Sequence, residues 1–196
     1  MERSRRQNGG PNMDSKANRE PGFRGEFLWE YDFVHQQLTA LASAIPSDRF
    51  DWRPAERARS VSEVLVHVAA GNLVLLDMTG IRLPRGLYDG IEGDGLERFF
   101  NLIERNEKLE KTITGKTEVV RLLGETMARA RECFGQATDL ELERSGNFFG
   151  EQTTVRRVYL RLLLHMNEHM GQIVAYVRSM GMPVPWPAWQ RPSKQG

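Results

Sequence analysis

The sequence predicts an all-α, bundle-like domain. Apolar residues recur every three or four positions in four separate regions, no segment alternates apolar and polar residues over strand length, and glycine or proline clusters fall between the periodic stretches. Composition agrees with a folded domain. Of 196 residues, 40% are hydrophobic and 27% charged. A 22.5 kDa chain is expected to bury about 70% of its unfolded surface, enough for a core without covalent staples.

The first 22 residues hold no aromatic side chain, two adjacent glycines and scattered charge, so a disordered leader is expected over residues 1–23. Its basic start, Arg3, Arg5 and Arg6, is diluted by Glu2, Asp14 and Glu20 and reads as solvated. The first helix follows. Phe27, Tyr31, Val34, Leu38, Leu41 and Ile45 form one apolar stripe, and Pro46 closes it. Between Ser47 and Arg59, Phe50 and Trp52 are expected to pin a loop to the body.

Ser60 opens the second helix, because Ser60-Val61-Ser62-Glu63 has the spacing of a capping box. Val61, Val64, Val68, Gly71 and Leu75 build its apolar face, and Gly80 stops it. Residues 81–95, with Pro84 and four glycines, read as a broken connection. The third region is either two helices or one with a break at Gly115: Leu96, Phe99, Phe100, Ile103 and Leu109 precede it, and Val119, Leu123, Met127, Ala130 and Phe134 follow. Residues 139–152 read as a loop. The last helix runs from Thr153 or Thr154 to Met180, with Gly181 as its C-cap and Pro183, Pro185 and Pro187 forbidding continuation. Trp186 and Trp189 are expected to bring the tail back onto the bundle or onto a partner subunit, the bundle being favoured, and residues 188–196 are expected to be flexible.

Charge and cysteine usage exclude several functions. A net charge of +1, from 27 basic and 26 acidic residues, generates no field that would draw nucleic acid or an anionic membrane. The single cysteine, Cys133, excludes an intramolecular disulfide and a CxxC pair, and its helical setting reads as an inert buried thiol. Apolar runs fall short of the roughly 20 residues that span a bilayer, and residues 1–20 lack a signal-peptide segment, so a reduced, cytoplasmic setting is expected. Gly-x-Gly-x-x-Gly and P-loop patterns are absent.

The four histidines carry the functional signal. His165-x-x-x-His169 places two imidazoles one turn apart on one helical face, where both can reach one ion. His67, at the edge of the second helix's core stripe, supplies a third ring from a facing helix, and Gly71 one turn on leaves room beside it for a metal or substrate. Three imidazoles give a catalytic zinc- or nickel-type site with an open position. Read literally, His165-Met166-Asn167-Glu168-His169 is an H-x-x-E-H peptidase string. No acidic residue follows Glu168, so the downstream ligand of that reading is missing. Glu168 is then a base, an outer partner or a surface ion-pair residue. His35, one turn from Tyr31, lines the pocket, bonds a substrate, satisfies a core polar contact or joins the ion as a fourth ligand, which would close its shell.

The segments WRPAERARSVSE (Trp52–Glu63), EVLVHVAAGN around His67 and TTVRRVYLRLLLHMNEHMGQIVAYVRSMGMPVP resemble the DinB/YfiT-like family of metal-binding four-helix bundles, over residues 24–187. The resemblance implies a four-helix bundle with an extra short helix and an extended Trp/Pro-rich tail. It also implies a divalent metal, nickel or zinc, held by His67, His165 and His169; from helical spacing, His35, Gly71 and Tyr31 are expected to line the pocket. Relatives include thiol S-transferases that use low-molecular-weight thiols, a mycothiol-dependent isomerase and metal-dependent hydrolases, and homodimers are common among them. The expected function is activation of a small thiol or water by the metal, with the bound molecule as nucleophile. The alternative is a non-enzymatic binding domain stapled by its metal.

Overall fold

The computed structural model describes residues 22–148 and 150–186. Among them the elements are α1 (Phe23–Ala44), α2 (Val61–Met78), α3 (Gly95–Thr112), α4 (Lys116–Gln136), α5 (Asp139–Glu143), β1 (Ser145–Phe148), β2 (Glu151–Thr154) and α6 (Val155–Ser179). The stripe of α1 is buried as its spacing predicts, from Phe27 through Tyr31, Val34 and Leu38 to Leu41. The capping box is present at Ser60: its Oγ accepts from the Glu63 N–H, and a Glu63 oxygen accepts from the Ser60 N–H at 2.7 Å.

Both α1 and α2 pack against α4 and α6, so the four long helices stand in ring order α1–α4–α2–α6. Consecutive α1 and α2 therefore face each other across a diagonal. Residues 45–60 make that crossing. Phe50 is buried there, and Trp52 packs edge-on against Tyr176 with centroids 5.3 Å apart. The third region is two helices, broken at Ile113–Gly115.

The 18-residue α3 covers the outer face of α2, with Leu102 meeting Leu73, Val74 and Tyr88. As a result α2 is buried nearly all round, where the sequence suggested a single apolar face. By length and a mean hydropathy of 1.5, α2 is the one helix among the described residues long and apolar enough to cross a membrane, against the expectation that apolar runs are too short. Of that span, 78% is buried inside the bundle, as in a core helix.

The loop expected over 139–152 is a correction. Thr138 and Glu141 form a second capping box that starts α5, and β1 and β2 pair antiparallel from Ser145↔Thr154 to Phe148↔Glu151. Gly150 turns the hairpin with φ +87°, a backbone open to glycine at little cost. Four-residue polar strands paired only with each other leave no readable alternation. Thr154 caps α6, and Gly181 follows it with φ +72°. Trp186 packs partly buried against the core, while Trp189, the C-terminal residues 188–196 and leader residues 1–21 lie outside the described residues. Phe23, placed in the leader by the sequence, already belongs to α1 and packs on the core.

Candidate metal centre

Where α2 packs on α6, three imidazoles meet. His67 comes from α2, and His165 and His169 come from successive turns of α6. Their ring centroids lie 4.6–5.0 Å apart, and one nitrogen from each ring falls within 4.8 Å of the others. The Nε2 atoms of His67 and His165 are 3.2 Å apart. Two nitrogens sharing an ion at about 2.1 Å stand about 3.0–3.4 Å apart for octahedral to tetrahedral angles. The observed spacing lies inside that window.

Outer hydrogen bonds fix two of the rings. Glu110, from α3, can only accept, so the 2.8 Å contact from His67 Nδ1 is an N–H donation that leaves Nε2 with its lone pair. Gln172 donates its amide N–H to the Tyr176 hydroxyl at 2.9 Å, which turns its carbonyl oxygen towards His169 Nδ1, 2.8 Å away. His169 Nε2 is thereby also freed for an ion. Such outer partners commonly orient metal-ligating histidines. Arg59 joins the two arms. Its Nε donates to the other Glu110 oxygen at 2.7 Å, and its carbonyl accepts from Tyr176 at 3.0 Å.

The electrostatics keep the two α6 rings neutral. Burial, then the neighbouring His169 and His67, push the pKa of His165 down to about 3. Burial also lowers His169, against the opposing bond to Gln172. Burial alone would raise the Glu110 carboxyl, but its bonds to His67 and Arg59 outweigh it and hold the pKa below the ordinary range. Three imidazoles with converging nitrogens, backed by an ionised carboxylate, fit a divalent metal ion.

Gly71 lines the neighbouring cavity, but the room it leaves is filled by the His165 ring. A Cβ there would stand 2.5 Å from His165 Cε1. This corrects the expectation that its space serves metal or substrate. Tyr31 and His35 do not line that cavity. Tyr31 is fully buried and donates to the Met127 carbonyl of α4 at 2.8 Å. His35 lies half-buried against the Tyr31 ring, near the Asp32–Arg131 pair. Both Glu168 oxygens are engaged by Arg161, at 2.8 and 2.7 Å, and the carboxylate lies outside the cavity lining. Cys133 is half-buried, and burial raises its thiol pKa, as expected for an inert thiol.

A model of the DinB superfamily matches residues 30–173. The chain belongs to the DinB superfamily. Solved DinB-like structures share its fold at low identity. A DinB-like protein from Bacillus cereus is 18% identical over 86% of this chain and 97% of its own, with a TM-score of 0.54. YjoA, a DinB-like protein from Bacillus subtilis, is 18% identical over 85% and 99%, with a TM-score of 0.51. YfiT from Bacillus subtilis, described as a probable metal-dependent hydrolase with an unusual four-helix bundle topology, is 16% identical over 85% and 94%, with a TM-score of 0.61. No curated protein matches the chain.

Within this DinB fold, the residues that sequence reasoning missed are Glu110 and Arg59. In sequence, Glu110 is one acidic residue among many on a charge-rich helix. Only the docking of α3 on α2 brings it to His67. The other missed contribution is the hairpin, which places Phe148 on the cavity wall. A second cleft, about 550 Å³ between residues 77 and 102, contains no histidine and lies apart from the triad.

Proposed function

We propose that this chain is a metal-dependent enzyme in which His67, His165 and His169 hold one divalent ion, nickel or zinc, to activate a small thiol or water for S-transfer or hydrolysis. The observation that carries this reading is the convergence of three imidazole nitrogens, two of them aimed by Glu110 and Gln172. A divalent ion in that position supplies positive charge that favours the ionised form of a thiol or water beside it. The chain's own residues do the rest. Glu110 and Gln172 hold the His67 and His169 rings in one tautomer, while Phe99, Ile103 and Phe148 give the adjoining cavity an apolar wall. The hydrolytic branch has the support of YfiT, described as a probable metal-dependent hydrolase.

A core of 33 buried residues among those described gives the bundle its stability without a metal staple, which favours an enzyme over a metal-stapled binding domain. The same proposal takes the substrate to be a small molecule, not nucleic acid, and the setting to be cytoplasmic. It also takes the protein to be a homodimer, because Trp29 and Phe33 on α1 and Leu160 and Leu164 on the adjoining α6 stay exposed. Sedimentation velocity tests that last point; a monomer at micromolar concentration would reject it.

The test of function is elemental analysis of the purified protein, followed by thiol-plus-electrophile and ester-hydrolysis screens with and without the recovered metal. About one ion per chain is expected in the wild type and a small fraction of that in His165→Ala. His35→Ala is expected to keep its metal. Chelation should abolish activity while leaving the helical signal. Full metal retention in His165→Ala would reject the site.

A further inference from the structure

Beside His67 and His165 opens a cavity of about 140 Å³, walled by Val74, Leu75, Phe99, Ile103 and Phe148 and by the side chains of Arg59 and Arg161. The two arginines differ in one decisive respect. Both terminal nitrogens of Arg161 are occupied by the two oxygens of Glu168. Arg59 meets a carboxylate only through Nε, which donates to Glu110 Oε2, and the second Glu110 oxygen is taken by His67. Among the described residues no acceptor reaches the two terminal Nη groups of Arg59.

Arg59 is also held still. Its carbonyl accepts from Tyr176, whose ring Trp52 packs against, and its Nε is fixed by the partly buried ion pair to Glu110. A guanidinium pinned in this way presents an open, planar face of N–H donors that matches a carboxylate. Little side-chain freedom remains to be lost on binding. The Arg59 side chain keeps 39% of its surface exposed, so solvent screens part of the attraction, and the apolar wall on the cavity side limits that screening. Glu107 also lines the cavity, but it is exposed to solvent, where its repulsion is screened.

We propose that Arg59 forms an oxyanion subsite, and that the substrate of this cavity carries a carboxylate seated on the Arg59 Nη groups, with an apolar body against Phe99, Ile103 and Phe148. This rests on the reading that the cavity beside the histidine triad is the reactive one. The carboxylate and the reacting group are then held at two points, the guanidinium and the triad, which fixes the orientation of the part between them.

The test uses benzoate and its neutral isostere benzamide, titrated into metal-free full-length protein and followed by amide chemical shifts. Benzoate is expected to bind about tenfold or more tightly than benzamide, the usual scale of a charge-assisted hydrogen-bonded pair. Arg59→Met should abolish that preference and Arg59→Lys should retain part of it. Arg161→Gln should leave it within about twofold, because that charge is already answered by Glu168. Equal binding of the two probes by the wild type, or a preference that survives Arg59→Met, would overturn the proposal. If Arg59→Met fails to fold, Arg59→Lys decides: an undiminished preference also overturns it. The titration needs no metal, so its failure is distinct from failure of the metal reading.

Discussion

Gly71→Ala separates the candidate site from the fold in a single substitution. The added methyl would stand 2.5 Å from His165 Cε1, 3.1 Å from Nδ1 and 3.3 Å from Nε2. Ordinary carbon–carbon contact begins near about 3.5 Å, so the ring must retreat by about 1 Å. Metal–nitrogen bonds tolerate about 0.2 Å of error, and the displacement is several times larger. His165 then leaves the ion's reach, and affinity is expected to fall by about 100-fold or more. Stability moves far less. Replacing a mid-helix glycine by alanine gains about 1 kcal/mol of helix propensity, against about 1–3 kcal/mol for overpacking. The net loss is about 0–2 kcal/mol, a fall in Tm of less than about 8 °C for a chain of this length. The assay is zinc titration against a competing chelator, with thermal melts recorded by circular dichroism in excess chelator. Gly124→Ala on α4, where a Cβ meets nothing within 4 Å, is the matched control and should keep wild-type affinity. Wild-type zinc affinity in Gly71→Ala would refute the assignment of His165 as a ligand.

Two further outcomes follow from the same contacts. Glu110→Gln keeps an acceptor for His67 but removes the charge shared with Arg59, so zinc affinity should drop by about tenfold with the helical signal intact, measured by the same competition. At Glu63, burial raises the carboxyl pKa, but bonds from Lys111, the Ser60 N–H and Arg53 outweigh it and hold the folded value below the ordinary one. Its stabilisation is therefore fully present above the unfolded value of about 4.3 and lost as pH falls through the folded value. Urea midpoints measured from pH 7 down to pH 3 should fall less steeply in Glu63→Gln than in the wild type; parallel curves would remove Glu63 from the acid response.

Periodicity made the helices and their ends legible, because capping chemistry is local. Ser60 and Glu63, Thr154 and Gly181 act on backbone groups within a turn of themselves. The histidine triad was legible for a related reason: i, i+4 spacing on α6 puts His165 and His169 on one face whatever the rest of the chain does. Periodicity says that a side chain faces the core, not which helix it meets there. Tyr31 and His35 were misplaced on that account. α1 stands diagonal to α2 and adjoins α4, so these two residues face Met127 and the Asp32–Arg131 pair, away from the triad. Glu110 and Arg59 failed for the converse reason. Each reaches His67 only through a contact more than 40 residues away in sequence, directly for Glu110 and by way of Glu110 for Arg59.

The reactivity open to this centre depends on where its negative charge sits. A site with two histidines and one glutamate cancels part of the ion's charge at the first layer of ligands, whereas three neutral imidazoles cancel none. Glu110 lies one bond network further out, donating no oxygen to the ion's position and sharing its charge with Arg59. Its influence on the centre therefore runs through the orientation and basicity of His67. A divalent ion held there would keep its positive charge available to an anionic nucleophile, and the guanidinium of Arg59 would add to it on the cavity side. An arrangement of this kind discriminates by charge before it discriminates by shape. Neutral substrates of the right size should therefore be poorer than their carboxylates even at saturating metal, and Arg59→Met should narrow that gap more than it lowers turnover of the neutral compound.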